Sequence, residues 1–277
     1  MEKYYSGEIR KSDRIQRLID RLYDHLPEIE ADRAVILTES YKETENEPII
    51  LRRAKAFEKI CHELPITIRE EELIVGSNTK TARGCQVFPE YSFEWMEAEF
   101  DTVEHRTADP FYISEETKKK LHEAYKYWKG KTTSELATSY MAEETLLAMK
   151  HNIFTPGNYF YNGIGHFTVK YWEVLNEGYE GIMAKTQAEL DKCRVSDPDY
   201  ASRSSFLKAV LISCQAAIDY AHRYAALALE EAEKCSDRQR KLELLAIANN
   251  CARVPAKPAR TFYEACQSFW FVQMLLQ

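Results

Sequence analysis

Residues 261–277 constrain this chain more tightly than any other stretch. Thr261 and Glu264 stand in the spacing of a capping box, so a helix starts there. Its continuation, ACQSFWFVQMLLQ, puts Phe, Trp, Val, Met or Leu on nearly every face and ends without a cap or polar tail. A helix apolar all round is stable only when it is covered on every side. The segment therefore predicts a broad apolar surface over 262–276, to be covered by a continuation of the chain or by another chain.

Helical spacing dominates the rest. Ile15, Leu18, Ile19, Leu22 and Leu26 keep it until Pro27 ends the run. Ala34, Leu37 and Tyr41 form a second stripe, and Pro48 suits the first position of a helix carrying Leu51, Ala54, Phe57 and Ile60. Ile74 and Val75, closed by Gly76, read as one short buried strand. Residues 78–113 are rich in turn formers and predict loop, with a short helix near Glu94–Phe100. Ser114 caps a helix with Leu121, Tyr125 and Trp128 that closes at Gly130, and a second helix is expected over 134–150. Residues 152–165, with Pro156 and three glycines, read as loop or extended chain. Helices follow at 168–192, 203–234 and 237–251, the long one carrying Phe206, Val210, Ile218, Ala221 and Ala225 on one face. The fold class is mainly α with one or a few short strands, in one unit over 1–277.

Hydrophobic residues make up 45% of the chain, enough for a real core. A net charge of −7 without a basic face argues against nucleic acid as a partner. No stretch approaches the roughly 18 apolar residues of a membrane span, and MEKYYSGEIRKSDRIQ lacks a signal-peptide core, so a cytoplasmic protein is expected. Cys61, Cys85, Cys193, Cys214, Cys235, Cys251 and Cys266 form no C-x-x-C pair and imply neither a disulfide framework nor a zinc site. Nucleotide and metalloprotease motifs are missing as well. Glu70-Glu71-Glu72 reads as a solvated helix start or turn, and the aromatic runs Tyr125–Trp128 and Phe269–Phe271 as core.

Six histidines (His25, His62, His105, His122, His151, His222) sit among charges or at helix ends and read as solvated or capping residues. His166 differs: it follows the glycine-rich aromatic loop NYFYNGIG and opens an amphipathic segment, a setting in which a histidine can face a cleft.

Several segments together resemble one family. ELIVGS from residue 72, QVFPEYS from 86, GKTTSELATSYMAEET from 130, GNYFYNGIGHFTV from 157 and FYEACQSFWF from 262 are similar to glycyl radical enzymes of the pyruvate formate-lyase superfamily. Within it the likeness is to B12-independent glycerol and propanediol dehydratases. The resemblance spans essentially the whole chain. It implies the N-terminal helical part of a ten-stranded α/β barrel, and a lyase that eliminates water from a small diol to give an aldehyde.

It also implies a site. The family's dehydratases place a substrate-binding histidine at the position matching His166, while Asn158 matches a pocket-lining position. Departure of a hydroxyl needs a proton donor, a role a histidine can fill. The family uses no cofactor bound by this part of the chain, but a glycyl radical installed by a radical SAM activating enzyme, and it acts as a homodimer. Neither the barrel cysteine nor the glycine loop is matched here, so the chain alone is expected to be inactive, truncated before them. The alternatives are another substrate in the same superfamily (formate C-acetyltransferase, choline or hydroxyproline chemistry), or a non-catalytic helical module that binds a partner through its bare end.

Overall fold

Ser12 caps α1 (Asp13–Asp24) through its hydroxyl, which accepts from the Ile15 amide, and with it opens the part of the chain that the computed structural model describes, residues 12–154 and 168–276. β1 (Glu28–Glu30), α2 (Asp32–Glu43) and α3 (Ile49–Glu63) follow. β2 (Gly84–Gln86), α4 (Glu94–Glu99), α5 (Glu115–Trp128), α6 (Thr133–Ser139) and α7 (Glu143–Lys150) complete the first part. Beyond the undescribed segment lie α8 (Tyr171–Leu190), α9 (Tyr200–Lys234), α10 (Arg238–Cys251) and α11 (Phe262–Leu275). The structure is mainly α, as the sequence predicts.

The strands are not where the sequence places them. β1 and β2 pair in parallel, Ile29 opposite Cys85, and Gly84 is required because a Cβ there would lie 2.5 Å from Glu30 Oε1. Ile74 and Val75 form no strand. Val75 is fully buried, but its pairing partner is a side chain: the Gln267 amide accepts from Val75 N at 2.9 Å and donates to Val75 O at 2.7 Å. One glutamine satisfies both polar groups that a neighbouring strand would have satisfied.

The single helix expected over 134–150 is broken. Thr138 and Ser139 hydroxyls donate to Ser134 O and Leu136 O, carbonyls that the helix would otherwise use, and Tyr140 and Met141 amides turn back to Ala137 O and Thr138 O. Ala142 is then extended and starts α7. Helix α8 is interrupted too, at Gly178 (φ +70°), where a Cβ would meet Ala256 O at 2.3 Å. The freed amides of Tyr179 and Glu180 donate to Pro255 O and Ala256 O.

Two cores hold these elements. In the first, Ile29, Leu37, Val87, Phe93, Leu121 and Trp128 gather α2, α4, α5 and the chain between β2 and α5. Trp128 donates its indole N–H to Thr38 at 2.8 Å. In the second, α9 lies between α3 and α10 and presents Ala216, Tyr220, Ala221, Tyr224, Ala228 and Ala232 to Cys61, Ile247 and Phe271. Alanines let the helices approach closely, while Tyr220 and Tyr224 fill the volume and send their hydroxyls to the Ser77 backbone. Ile218, Ala221 and Ala225 are buried as expected, but Phe206 is not: at 56% exposure it lies on the outward side of the first turns of α9.

At α11 the expectation holds in part. Thr261 caps the helix by accepting from the Glu264 amide, but the reciprocal half of the box is absent, because Glu264 accepts from Arg260 N and pairs with Arg260 and Arg253. Glu264, Gln267, Ser268, Phe271, Val272 and Met274 are buried within this chain, whereas Phe262, Phe269, Trp270 and Leu276 are exposed. Its inner face is half polar; the apolar surplus lies outside.

Candidate functional site

His166 and Asn158 lie outside the described residues. The structure fixes the chain on either side of them. Ahead, α7 closes with Asn152 in the left-handed region and Ile153 N donating to Ala148 O at 3.0 Å. Behind, the Tyr171 ring stacks on Phe269 of α11 with centroids 4.3 Å apart, and its hydroxyl donates to Gln273.

The other six histidines are all exposed. His25 lies at the end of α1 within hydrogen-bond distance of Arg21 O, His62 meets Asp219 at 2.9 Å, and His122 meets Glu97 at 2.6 Å. These are surface pairs. Of the thiols, Cys61, Cys214 and Cys251 are buried, and burial pushes all three up, Cys214 to about 11. Such thiols stay protonated and behave as small core residues. The Glu70–Glu72 run is not simply solvated: Glu71 sits at φ +72° in a turn, and the three carboxylates pair with Arg21, Arg14, Arg17 and Arg69.

A cleft of about 580 Å³ opens between α2, α3, the turn 88–91, the start of α6 and the end of α11. Its walls are held by specific bonds. Arg33, from the first turn of α2, grips Glu90 with both nitrogens at 2.7 and 3.1 Å and lies 3.8 Å over the Phe88 ring. Glu90 O and Tyr91 O accept from Thr133 N and Ser134 N, which fastens the turn to the capping box of α6.

Asn78 reaches the cleft from a loop clasped by a half-buried guanidinium and a buried carboxylate. The Arg69 guanidinium takes the carbonyls of Thr79, Lys80 and Thr81, while the Glu30 carboxylate takes the amides of Lys80 and Thr81. The floor is Leu37, Ala56, Phe57, Tyr220 and Met274. Of the lining groups, Glu90 is held in its arginine pair, the Cys61 thiol is raised by burial, and so is the Tyr41 phenol. The cleft can shield and orient a guest, and its described lining contains no histidine.

Sequence reasoning did not single out Arg33, Asn78 or Arg53, because no motif spacing links residues from separate elements. A signal was present all the same. Two of the resembling segments converge here: QVFPEYS supplies Phe88, Glu90 and Tyr91, and the segment from Gly130 supplies Lys131, Thr133 and Leu136; Met274 to Leu276, just beyond FYEACQSFWF, join them.

The family described as pyruvate formate lyase-like matches residues 8–277. A solved structure of 1,2-propanediol dehydration in Roseburia inulinivorans is 61% identical, with a TM-score of 0.94 over 99% of this chain and 33% of that one. The glycerol-bound B12-independent glycerol dehydratase from Clostridium butyricum is 49% identical, with a TM-score of 0.94 over 98% of this chain and 35% of that one. Among curated proteins, the (2S)-3-sulfopropanediol dehydratase of Klebsiella oxytoca is 35% identical over 267 residues, 95% of this chain and 32% of the relative. The chain thus spans about a third of the length of the proteins it matches. No described helix is long and apolar enough to cross a membrane.

Proposed function

Because the chain belongs to the pyruvate formate lyase-like family, we propose that the complete protein is a glycyl radical lyase that removes water from a small diol, glycerol or 1,2-propanediol, and releases an aldehyde. One observation carries this reading: the 61% identity to a protein of 1,2-propanediol dehydration across 99% of the chain. The 49% identity to a glycerol dehydratase supports the same class.

In this reading the family's radical, installed by a radical SAM activating enzyme, would supply removal of a hydrogen atom from a substrate carbon and its return to the product, and this chain's own residues handle the proton. His166 hydrogen-bonds the substrate hydroxyls and protonates the one that departs, so that water rather than hydroxide leaves. Its ordinary pKa near neutrality suits a group that must both give and regain a proton. Asn158 lines the same pocket. The complete enzyme acts as a homodimer, as the family resemblance implies.

The test is His166→Gln in the complete protein. The variant should fold and form its radical normally, yet lose dehydration of glycerol and 1,2-propanediol by about 10²–10⁴-fold, the usual cost of removing a general acid or base. Turnover within a few-fold of the parent, with only a lowered melting temperature, would reduce His166 to a packing residue.

A further inference from the structure

Helix α1 is attached to the body in an unusual way. None of its residues is buried. Its three arginines do the holding: Arg14 reaches Glu71 at 3.2 Å and Glu243 of α10 at 2.5 Å, Arg17 reaches Glu71 at 2.7 Å, and Arg21 reaches the Glu70 carboxylate at 2.9 Å and its carbonyl. The acceptors are well placed to hold them. Glu71 and Glu243 keep only 16% and 12% of their side-chain surface, and Arg240 shares Glu243 from the other side at 3.1 Å.

The apolar residues of the same helix are covered only in part. Ile15 and Leu22 are 45% and 42% exposed, Tyr23 is 71% exposed, and Leu18 and Ile19 are half-buried. On a helical projection Ile15, Ile19 and Tyr23 lie more than a quarter turn from Arg14, Arg17 and Arg21, while Leu18 and Leu22 flank the arginine side. Apolar burial, the usual anchor of an amphipathic helix, is therefore incomplete here, and charge supplies the remaining hold. Just after α1 the chain is fixed again: Tyr112 N donates to Pro27 O at 2.7 Å and β1 begins. The helix is thus a unit bounded by a firm hinge on one side and held along its length by charge.

We propose that α1 is an electrostatically latched strap, which docks on the 69–72 turn and α10 and lifts off as a unit while the two cores stay folded. The turn that it clasps is the one whose Arg69 holds the loop 77–81 beside the cleft, so the latch borders the scaffold of the candidate site. Salt is the natural release. The screening length falls from about 10 Å at 0.1 M to about 3 Å at 1 M ionic strength, which weakens ion pairs and leaves apolar cores intact.

Amide hydrogen exchange on the intact protein at 0.05 M and 1 M sodium chloride tests the proposal. Amides of residues 17–24 should exchange at least about ten-fold faster at high salt, while those in the middle of α9 keep their rate. Glu71→Gln should show the fast exchange already at low salt and lose most of the salt response. If that variant also loses protection in α9, Arg17→Gln, which alters only the helix side, replaces it. Exchange in α1 that is the same at both salts, or that rises together with α9 and α10, would overturn the strap.

Discussion

Helix α1 separates its polar and apolar residues cleanly along its surface, yet it buries none of them; α11 is apolar on nearly every side, yet three of the six residues it buries are Glu264, Gln267 and Ser268. The contrast shows that amphipathy does not say which face docks. α1 binds through charge because its neighbours, the 69–72 turn and α10, present carboxylates. α11 binds through polar side chains because its neighbours, the chain around Val75 and the Arg253 region, present unpaired backbone groups and a cation. In each case the facing surface chose the side.

The sharpest way to break the comparison is to hollow the apolar part of the α11 contact. Phe271 is fully buried against Tyr220 and Tyr224. Phe271→Ala should cost about 3–5 kcal/mol of unfolding free energy, measured by urea denaturation. A loss below about 1 kcal/mol would mean that α11 is not docked as described.

Next comes the polar part. Gln267→Leu keeps the volume but strands both Val75 N–H and Val75 O, so about 2–4 kcal/mol should be lost in the same measurement. If the leucine is neutral, water or a shifted backbone has taken over the role of the amide.

The smallest effect is ionic. Bonds from Arg260, opposed by burial, hold the Glu264 carboxyl below the usual carboxylate range. A depressed folded pKa gives stability that is complete above the unfolded value of about 4.3 and lost as pH falls through the lower folded value. Glu264→Gln should therefore cost about 1–2 kcal/mol at pH 7 and less below pH ~3, as followed by denaturation across that range. A constant difference at every pH would show that the carboxylate's charge is not what ties the start of α11 to Arg260 and Arg253.

These contrasts explain what could be read in the residues. Helices with a period and a cap were legible: Ser114 and Thr261 cap α5 and α11 as their spacing implies. The strand pair was not, because β1 and β2 are three residues each and more than fifty residues apart, too short for alternation to register. Ile74-Val75 looked like a strand for a sound reason, since Val75 is buried and both its backbone polar groups are paired, but a side chain far along the sequence replaced the neighbouring strand. The break between α6 and α7 came from hydroxyls competing for carbonyls, which hydrophobic spacing does not register. Of the candidate site, the segments around the cleft were legible by resemblance alone. His166 and Asn158 lie outside the described residues.

The Gln267–Val75 clasp also sets an order of events at the ribosome. Its two ends are 192 residues apart in the chain. At about 5–20 residues per second, synthesis takes roughly 10–40 s to bring the glutamine out after the valine. Through that interval Val75 has neither strand nor amide to meet it, while the helices that follow emerge one after another. A nascent chain thus leaves the Val75 backbone without its glutamine for about 10–40 s, until α11 arrives to close it.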